Sequence, residues 1–175
     1  MEIRVLLPGD DRSRFRSGNI ELDRFFHRFA GQNQFRIHVG VTHVAVEQGE
    51  LIGFATVSAA QVNLVQLPEA ARKRLPAYPV PVLRLSRMAV SESMQGRGVG
   101  RALLRHVLRL AVGLATDSAG CQGVLVDAKP GAQSFYAAFG FVQLAVDEGR
   151  LGALHEIVEM YLGMERILAA VPRAH

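Results

Sequence analysis

The sequence predicts an α/β fold with a central, mixed and mostly antiparallel sheet flanked by helices on both faces. Strand-like apolar runs and amphipathic helical patterns follow one another in the order β-α-β-β-β-α-β-α-β-β. A glycine-led helix in the middle of this order lies between two strands and predicts one right-handed crossover. At 175 residues, 49% of them hydrophobic, the chain is long enough to bury one core. We therefore expect a single domain over residues 1–175.

The first part of the chain predicts a strand, a helix and a hairpin. The strand EIRVLL covers residues 2–7. Asn19 is expected to cap a helix over residues 20–33, because its side chain can accept a hydrogen bond from the first turn. Gln48 and Gly49, between two β-rich runs, predict the turn of a hairpin. The predicted apolar face of the helix consists of Leu22, Phe25, Phe26 and Phe29.

A cluster of glycines lies between the strand PVLRLSRMAV and a long amphipathic helix. The cluster consists of Gly96, Gly98 and Gly100. A glycine inside a helix costs about 1 kcal/mol relative to alanine, so three at a helix start indicate an unusual backbone or a close ligand. The loop before the strand is marked by four prolines: Pro68, Pro76, Pro79 and Pro81.

The helix after the glycines has the features of an anion site at its start. Its unpaired N–H groups and partial positive charge attract an anion, and Arg97 and Arg101 add formal charge. A phosphate or pyrophosphate fits this chemistry best. The apolar stripe is formed by Leu103, Leu104, Val107, Leu108, Ala111 and Leu114, and the opposite stripe by Arg101, Arg105 and Arg109.

The remaining elements complete the predicted order. Residues 123–128, GVLVDA, read as a short buried strand. Pro130 is expected to open a helix over AQSFYAAF, which Gly140 closes. The segments FVQLAVD and EMYLGM predict the last two strands.

Charge and rare residues narrow the function classes. Residues 1–110 carry 16 basic and 9 acidic side chains, which favours an anionic partner. The run Arg72, Lys73 and Arg74 is either a solvated loop or a nucleic-acid contact. Cys121 is the only cysteine, which excludes an internal disulfide, and the six histidines show no metal-ligand spacing. This histidine spacing leads us to expect no bound metal. No apolar run approaches the roughly 18 residues of a membrane span and the start is unlike a secretory signal, so we expect a soluble, cytoplasmic protein.

One known phosphate-binding motif fits the glycine cluster. A dinucleotide fingerprint would need a glycine where Arg101 or Leu103 stands, and a P-loop would need a lysine after the glycines. The pattern Q-x-x-G-x-G fits, with Gln95, Gly98 and Gly100. It resembles the acetyl-CoA pyrophosphate loop of the GNAT superfamily of N-acetyltransferases; an ordinary glycine-rich turn is the alternative. The resemblance implies the GNAT fold, acetyl-CoA as cosubstrate and a donor site at Met88, Ala89, Val90, Gln95, Gly96, Arg97, Gly98, Val99, Gly100 and Arg101.

A second motif, FYAAFGF, contains Tyr136. Its phenylalanines, Phe135, Phe139 and Phe141, are typical of core residues, and Gly140 is typical of a helix C-cap. In GNAT proteins an F-Y-x-x-x-G-F segment places the tyrosine hydroxyl at the acetyl-CoA sulfur, and Tyr136 matches that position. A phenol with a pKa near 10 stays protonated at neutral pH and can protonate a departing thiolate. The resemblance therefore implies that Tyr136 is catalytic, with a packing role as the alternative.

Longer segments resemble one branch of this superfamily. Residues 17–36, 75–104 and 126–141 are similar to GNAT-type toxins of bacterial toxin–antitoxin pairs, the TacT and AtaT kind. The resemblance implies acetylation of the α-amine of aminoacyl-tRNA, which blocks translation, and a small ribbon-helix-helix antitoxin as partner. Ser91 departs from the aspartate usual in the family, and residues 147–175 show little that can be matched.

Amine chemistry agrees with this substrate. An α-amine with a pKa of about 7.7 to 8.0 is partly neutral at pH 7, whereas a lysine amine at about 10.4 needs a base, and the strand before the glycines carries no carboxylate. The basic run at residues 72–74 would then hold the tRNA backbone. Two other functions stay open: acetylation of a small-molecule or protein amine, and acetyl-CoA binding without turnover. A second copy of the chain, in a homodimer, is a further candidate partner.

Overall fold

The computed structural model describes residues 1–145 and 157–170. The strands there are β1 Glu2–Val5, β2 Val41–Glu47, β3 Glu50–Val62, β4 Val80–Val90, β5 Gly123–Ala128, β6 Val142–Gln143 and β7 Val158–Gly163. The helices are α1 Ile20–Arg24, α2 Ala30–Phe35, α3 Glu69–Arg72, α4 Val99–Gly113, α5 Gln133–Ala137 and α6 Met164–Ala170. Over the described residues the strands are hydrogen-bonded in the order β1-β2-β3-β4-β5-β7-β6. The pairs β1/β2, β2/β3, β5/β7 and β6/β7 are antiparallel.

The chain divides into two compact units. Unit 1 comprises Met1–Ser58 and Leu85–Val107, and unit 2 comprises Ala59–Arg84 and Leu108–His175. Unit 1 contains the glycine cluster, and unit 2 contains Tyr136.

The helix predicted after Asn19 is present in unit 1 but is not regular throughout. Asn19 caps α1 as predicted, since its Oδ1 accepts a hydrogen bond from the Leu22 N–H at 3.0 Å. A π-helical turn, Phe25–Phe29, joins α1 to α2. The prediction that Phe29 faces the core was wrong: its side chain is 39% exposed, and Ala30 is buried instead. The wider turn changes the helical register within it and so rotates Phe29, its last residue, towards solvent.

The core of unit 1 is built on aromatic side chains. The ring of Phe26 lies 4.9 Å from that of Phe15 and 4.3 Å from that of Phe54, measured between centroids. Such pairs contribute packing energy beyond the area they bury. The buried residues of this cluster are Leu6, Phe15, Leu22, Phe25, Phe26, Ala30, Val44, Phe54 and Ala89.

The predicted hairpin and the predicted long helix are both confirmed. Gln48 and Gly49 join β2 to β3 with φ values of +50° and +81°, the left-handed conformation of a tight hairpin turn. The arginine stripe of α4 is exposed, and Leu114 falls in a π-helical turn after α4 and is only partly buried. The buried stripe consists of Leu103, Leu104, Val107, Leu108 and Ala111.

Unit 2 contains a buried apolar cluster of its own. Its buried members are Val62, Leu67, Val80, Val82, Leu125, Leu144 and Tyr161. The strand predicted at residues 123–128 is confirmed as β5, whereas the prediction that Pro130 opens the next helix was wrong. Gly131 turns the chain with a φ of +83°, and α5 begins only at Gln133. Gly140 has a φ of +92°, which fits its predicted role after the helix.

Other parts of unit 2 differ from the sequence prediction in extent. The helices α3 and α6 were not predicted, because four and seven residues give little periodicity to recognise. The strand predicted over FVQLAVD is described only to residue 145 and is hydrogen-bonded as β6 over two residues. Its last two residues lie outside the described residues. No helix in the described ranges is long and apolar enough to cross a membrane.

Unit 1 also contains a pair of histidines that the sequence did not single out. His43 of β2 is 6% exposed, and its Nδ1 lies 2.9 Å from Nε2 of His106 on α4. Burial, with a smaller contribution from the charge of His106, lowers the pKa of His43 to about 4. The folded chain therefore keeps His43 neutral at pH values at which an exposed histidine takes up a proton.

We expect this pair to make the fold sensitive to acid. Between pH 6.5 and about 4 the unfolded chain protonates His43 and the folded chain does not, so stability falls as the pH falls, by up to about 3 kcal/mol. His43→Asn keeps an acceptor for His106 but cannot titrate, and should flatten this part of the pH profile in denaturant unfolding. His38→Asn is the control, because His38 is exposed and its φ of +53° suits asparagine. Unfolding curves of His43→Asn with the wild-type pH dependence would contradict the assignment.

Candidate active site

The glycine cluster forms an open turn between β4 and α4. Gly96 and Gly98 have φ values of +75° and +85°, a region in which other residues are strained. A Cβ added to either would meet no atom within 4 Å, so both face open space. Gly100 lies in the first turn of α4. Two of the three glycines are thus required by the backbone, and the same two keep side chains away from the turn.

The backbone N–H groups of this turn are available to a ligand. Within the described residues, none of the N–H groups of residues 96–101 donates to a protein acceptor, and the Ala102 N–H is the first to do so, to Gly98 O at 3.0 Å. Arg97 and Arg101 are exposed beside them. Converging N–H groups, the positive end of a 15-residue helix and two guanidinium groups fit a pyrophosphate.

Gln95 holds the turn rather than pointing into it. Its amide nitrogen donates to Ser17 O at 2.9 Å and to Val90 O at 3.1 Å. The side chain that begins the Q-x-x-G-x-G motif is therefore bonded to the protein itself.

The end of β4 presents alternate residues to its two sides. The Ser91 N–H donates to Ile52 O at 2.9 Å, and a Cβ on Gly53 would lie 3.2 Å from Ala89 O, so Ala89 and Ser91 face β3. Because backbone groups alternate along a strand, those of Met88 and Val90 face away from β3. The Val90 carbonyl already accepts from Gln95. Of the other predicted donor-site residues, Val99 is 3% exposed and belongs to the core.

Tyr136 lies on α5 and is the most deeply buried side chain of its motif after Phe141. It is 6% exposed, and its ring contacts Phe135 and Phe141 at centroid distances of 5.2 and 5.7 Å. Burial, and then the negative charge of Asp127, raise the pKa of Tyr136 to about 12. The phenol stays protonated across the physiological range and can act only as a proton donor there.

A charged cluster near the same part of unit 2 was not predicted from the sequence. Arg84 of β4 donates from Nε to Asp127 Oδ2 at 2.9 Å and from a terminal nitrogen to Asp127 Oδ1 at 2.6 Å and Glu159 Oε1 at 3.1 Å. Hydrogen bonding to Asp127 raises the pKa of Arg84. Asp127 and Glu159 are directly opposed on β5 and β7, where two carboxylates need a shared cation. The available signal was a charged residue on the same face of each strand as buried apolar side chains, since side chains two residues apart share a face. Those buried side chains are Val80 and Val82 for Arg84, Leu125 for Asp127 and Tyr161 for Glu159.

The basic run at residues 72–74 is exposed but not free of partners. Lys73 Nζ lies 3.4 Å from Glu69, and Arg74 lies 3.3 Å from Glu165. Arg72 is the last residue of α3. Two of the three predicted phosphate contacts therefore have a carboxylate beside them, so the run is less positive than its sequence implies.

Over residues 1–145 and 157–170, Cys121 and the metal-ligating residue types form no further site. The Cys121 thiol is buried, its Sγ donates to Gly123 O at 3.2 Å, and burial raises its pKa. Among the described residues, no group of three or more His, Cys, Asp or Glu side chains could hold a metal ion.

Fold and glycine turn together define a protein of the acetyl-CoA-dependent acyltransferase class. The family model described as Acetyltransferase (GNAT) domain matches residues 38–143, and the chain belongs to this family. Its predicted fold class and enzyme class, an N-acetyltransferase with acetyl-CoA as acetyl donor, are confirmed.

Individual relatives are more specific. The chain is 35% identical over 142 residues to a protein of Mycobacterium tuberculosis named tRNA-acetylating toxin. The aligned region covers 79% of this chain and 82% of that protein. A crystal structure of a bacterial toxin is 26% identical, covers 99% of both chains and gives a TM-score of 0.80. A structure of AtaT complexed with acetyl-methionyl-tRNAfMet gives a TM-score of 0.82 at 22% identity, over 97% of this chain and 98% of AtaT. The predicted resemblance to this branch is confirmed.

Proposed function

We propose that this chain is a toxin that transfers an acetyl group from acetyl-CoA to the α-amine of aminoacyl-tRNA and so blocks translation. The observation that carries the proposal is the similarity, over 79% of the chain, to a protein named tRNA-acetylating toxin. The open glycine turn and the buried, protonated Tyr136 supply the local chemistry that this reaction needs.

The donor occupies the turn before α4. The pyrophosphate accepts hydrogen bonds from the N–H groups of residues 96–101, with Arg97 and Arg101 beside it. The pantetheine arm pairs with the backbone of Met88 and Val90, which faces away from β3. Because the Val90 carbonyl accepts from Gln95, the groups left for this pairing are the Val90 N–H and the backbone of Met88.

The reaction needs one proton donor at the sulfur. Acetyl-CoA supplies an activated acetyl thioester; as the amine bonds to the acetyl carbon the carbon–sulfur bond breaks, and Tyr136 donates its hydroxyl proton to the leaving sulfur. The amine nitrogen loses its proton to water. An α-amine needs no strong base for this, because about a tenth of it is already neutral at pH 7. β4 carries no carboxylate, which agrees with an acceptor of this kind.

Acetyl transfer to bulk aminoacyl-tRNA tests the function. Aminoacyl-tRNA is incubated with the protein and isotope-labelled acetyl-CoA, the aminoacyl ester is released, and its mass is measured. We expect label on the α-nitrogen of the amino acid. Label on small amines or protein lysines, with none on aminoacyl-tRNA, would select the general acetyltransferase function instead. Acetyl-CoA binding without transfer to any acceptor would select a binding module.

The basic run at residues 72–74 is proposed to contact the tRNA backbone. Replacing Arg72, Lys73 and Arg74 by Gln should weaken aminoacyl-tRNA binding. It should also reduce the slope of log affinity against log salt by about 0.7 to 0.9 for each phosphate that the variant no longer neutralises. Since Lys73 and Arg74 already have carboxylate neighbours, we expect a reduction nearer to that of one phosphate than to that of three.

The opposite change serves as the matched control. Glu69→Gln with Glu165→Gln removes those carboxylates and should strengthen binding and steepen the slope. Salt slopes that are the same in both variants and the wild type would place the tRNA contact elsewhere. Acetyl-CoA affinity should be unchanged in both.

The remaining partners follow from the toxin assignment. We propose a ribbon-helix-helix antitoxin that neutralises the protein, a homodimer of the chain, and a cytoplasmic location. That residues 1–175 act as a single catalytic domain also stays a prediction. Co-expression with the neighbouring gene product and light scattering of the purified chain check the first two.

A further inference from the structure

The segment before α1 is bonded to the residues that lead into the glycine turn. The Glu92 N–H donates to Arg16 O at 2.9 Å, and the Gln95 amide donates to Ser17 O at 2.9 Å. Gly18 comes next, with a φ of +83°, and a Cβ there would lie 2.8 Å from a carboxylate oxygen of Glu92. Residues 16–18 therefore lie directly against residues 92–95.

Asp23, one turn into α1, fixes Ser17. A single carboxylate oxygen, Oδ1, accepts the Ser17 N–H at 2.9 Å and the Ser17 hydroxyl at 2.6 Å. The hydroxyl oxygen in turn accepts from the Asn19 N–H at 3.3 Å, while Asn19 caps the helix. Ser17, whose carbonyl accepts from Gln95, is thus bonded to α1 through Asp23.

Gln95 transmits this placement to the cofactor strand. An amide nitrogen carries two hydrogens, and those of Gln95 serve two carbonyls, Ser17 O and Val90 O. The bonds form a continuous chain, here called the Asp23 network: Asp23, Ser17, Gln95 and Val90. It runs from the first helix to the last residue of β4, and Gln95 within it directly precedes Gly96.

We propose that the Asp23 network positions the acetyl-CoA pyrophosphate turn, with Asp23 and Ser17 as positioning residues for the acetyl donor. The proposal rests on the assignment of that turn to the pyrophosphate under Proposed function. The N–H groups of residues 96–101 bind an anion tightly only if they converge before it arrives, because ordering a loop during binding costs affinity. Gly96 and Gly98 have more backbone conformational entropy to lose on ordering than other residues would. Hydrogen bonds that fix the chain just before them should therefore increase the affinity of the turn for an anion.

A purely structural role would give a different result from a positioning role. A structural brace changes the free energy of unfolding and leaves the affinity of the folded protein for acetyl-CoA unchanged. A positioning network raises the KM and Kd for acetyl-CoA and leaves kcat and the KM for the acceptor near wild type. This split between the two substrates is the deciding measurement.

The variants interrupt the network at two places. Gln95→Leu removes both donors, and Asp23→Ala removes the acceptor of Ser17. We expect each to raise the Kd of acetyl-CoA, measured by calorimetry, about 10-fold, which corresponds to one or two hydrogen bonds of ordinary strength. Asp23→Asn keeps an oxygen that can accept from Ser17 and should restore most of the affinity. The double variant should bind no more weakly than the weaker single one, because both break the same chain.

Gln34 offers a matched control on α2. Its amide makes a similar bridge, donating to Leu6 O at 3.0 Å and accepting from the Thr42 N–H at 2.8 Å, and neither bond involves a residue of the Asp23 network. Gln34→Leu should lower stability as Gln95→Leu does and leave acetyl-CoA affinity unchanged. Equal loss of affinity in the control would show a general effect of destabilisation and overturn the proposal.

Failure of this proposal is distinguishable from failure of the phosphate assignment. If Gly98→Val weakens acetyl-CoA binding while Asp23→Ala and Gln95→Leu bind it as the wild type does, the turn is the donor site and the positioning role is wrong. If Gly98→Val binds acetyl-CoA normally, the donor assignment itself fails. Additive losses of affinity in the Asp23 and Gln95 double variant would also overturn the single chain of hydrogen bonds.

Discussion

Replacing Tyr136 by Phe is expected to lower kcat for acetyl transfer about 100- to 10,000-fold, with the affinity for acetyl-CoA nearly unchanged. The variant keeps the ring and its contacts with Phe135 and Phe141 and removes only the proton donor. Burial raises the pKa of Tyr136 to about 12. At pH values below about 10 the hydroxyl therefore stays protonated, and the wild-type rate should not fall through loss of the Tyr136 proton. Single-turnover kinetics with saturating acetyl-CoA measure the chemical step.

Tyr161→Phe is the matched control for this change. Tyr161 is similarly buried, burial raises its pKa to about 12, and its hydroxyl bonds Gln122. Its replacement should affect stability and leave kcat within a small factor of wild type. A Tyr136→Phe enzyme with normal turnover would show that the Tyr136 hydroxyl has only a packing role.

Replacing Gly98 by Val is expected to weaken acetyl-CoA binding about 100-fold or more, because the side chain enters the space that the pyrophosphate needs and disturbs several charged hydrogen bonds. Gly98 faces open space, and the Cβ of the new side chain meets no protein atom within 4 Å. Backbone strain is the competing explanation, since the φ of Gly98 is +85°.

Gly49→Val separates the two explanations. Gly49 has a φ of +81° and equally open surroundings, but it lies in the β2–β3 turn. Both variants carry similar strain and should lose similar thermal stability, whereas only Gly98→Val should lose affinity. Asparagine adopts the left-handed backbone conformation more readily than valine. If the valine variant does not fold, the acetyl-CoA affinity of Gly98→Asn is measured instead. Normal calorimetric affinity in a folded Gly98 variant would remove the turn from the donor site.

Local sequence signals were sufficient for much of the fold and for the position of the glycine turn. Asn19 acts through its side chain on the next helical turn, and Gly49 and Gly98 act through their own backbone, so the residue type alone indicates each role. Phe29 was misplaced because a π-helical turn breaks the 3.6-residue period on which the prediction relied.

Long-range pairing could not be predicted in this way. Gln95 bonds Ser17 across 78 residues of sequence, and Arg74 bonds Glu165 across 91. Nothing local to either partner indicates the other, because the pairing depends on which strands and helices become neighbours. The motif therefore identified Gln95 as a donor-site residue but gave no indication that its amide nitrogen donates to Ser17 O and Val90 O.

The buried thiol of Cys121 has a practical consequence for assays. Its exposure is 8%, burial raises its pKa, and it is the only cysteine in the chain. Reaction with a disulfide reagent requires an accessible thiolate, so the folded protein should not react with such a reagent. Coenzyme A released during turnover can then be followed continuously by the colour of its thiol adduct, with no cysteine removed from the enzyme. Any slow signal from the protein alone would report the rate at which the strands around Cys121 open.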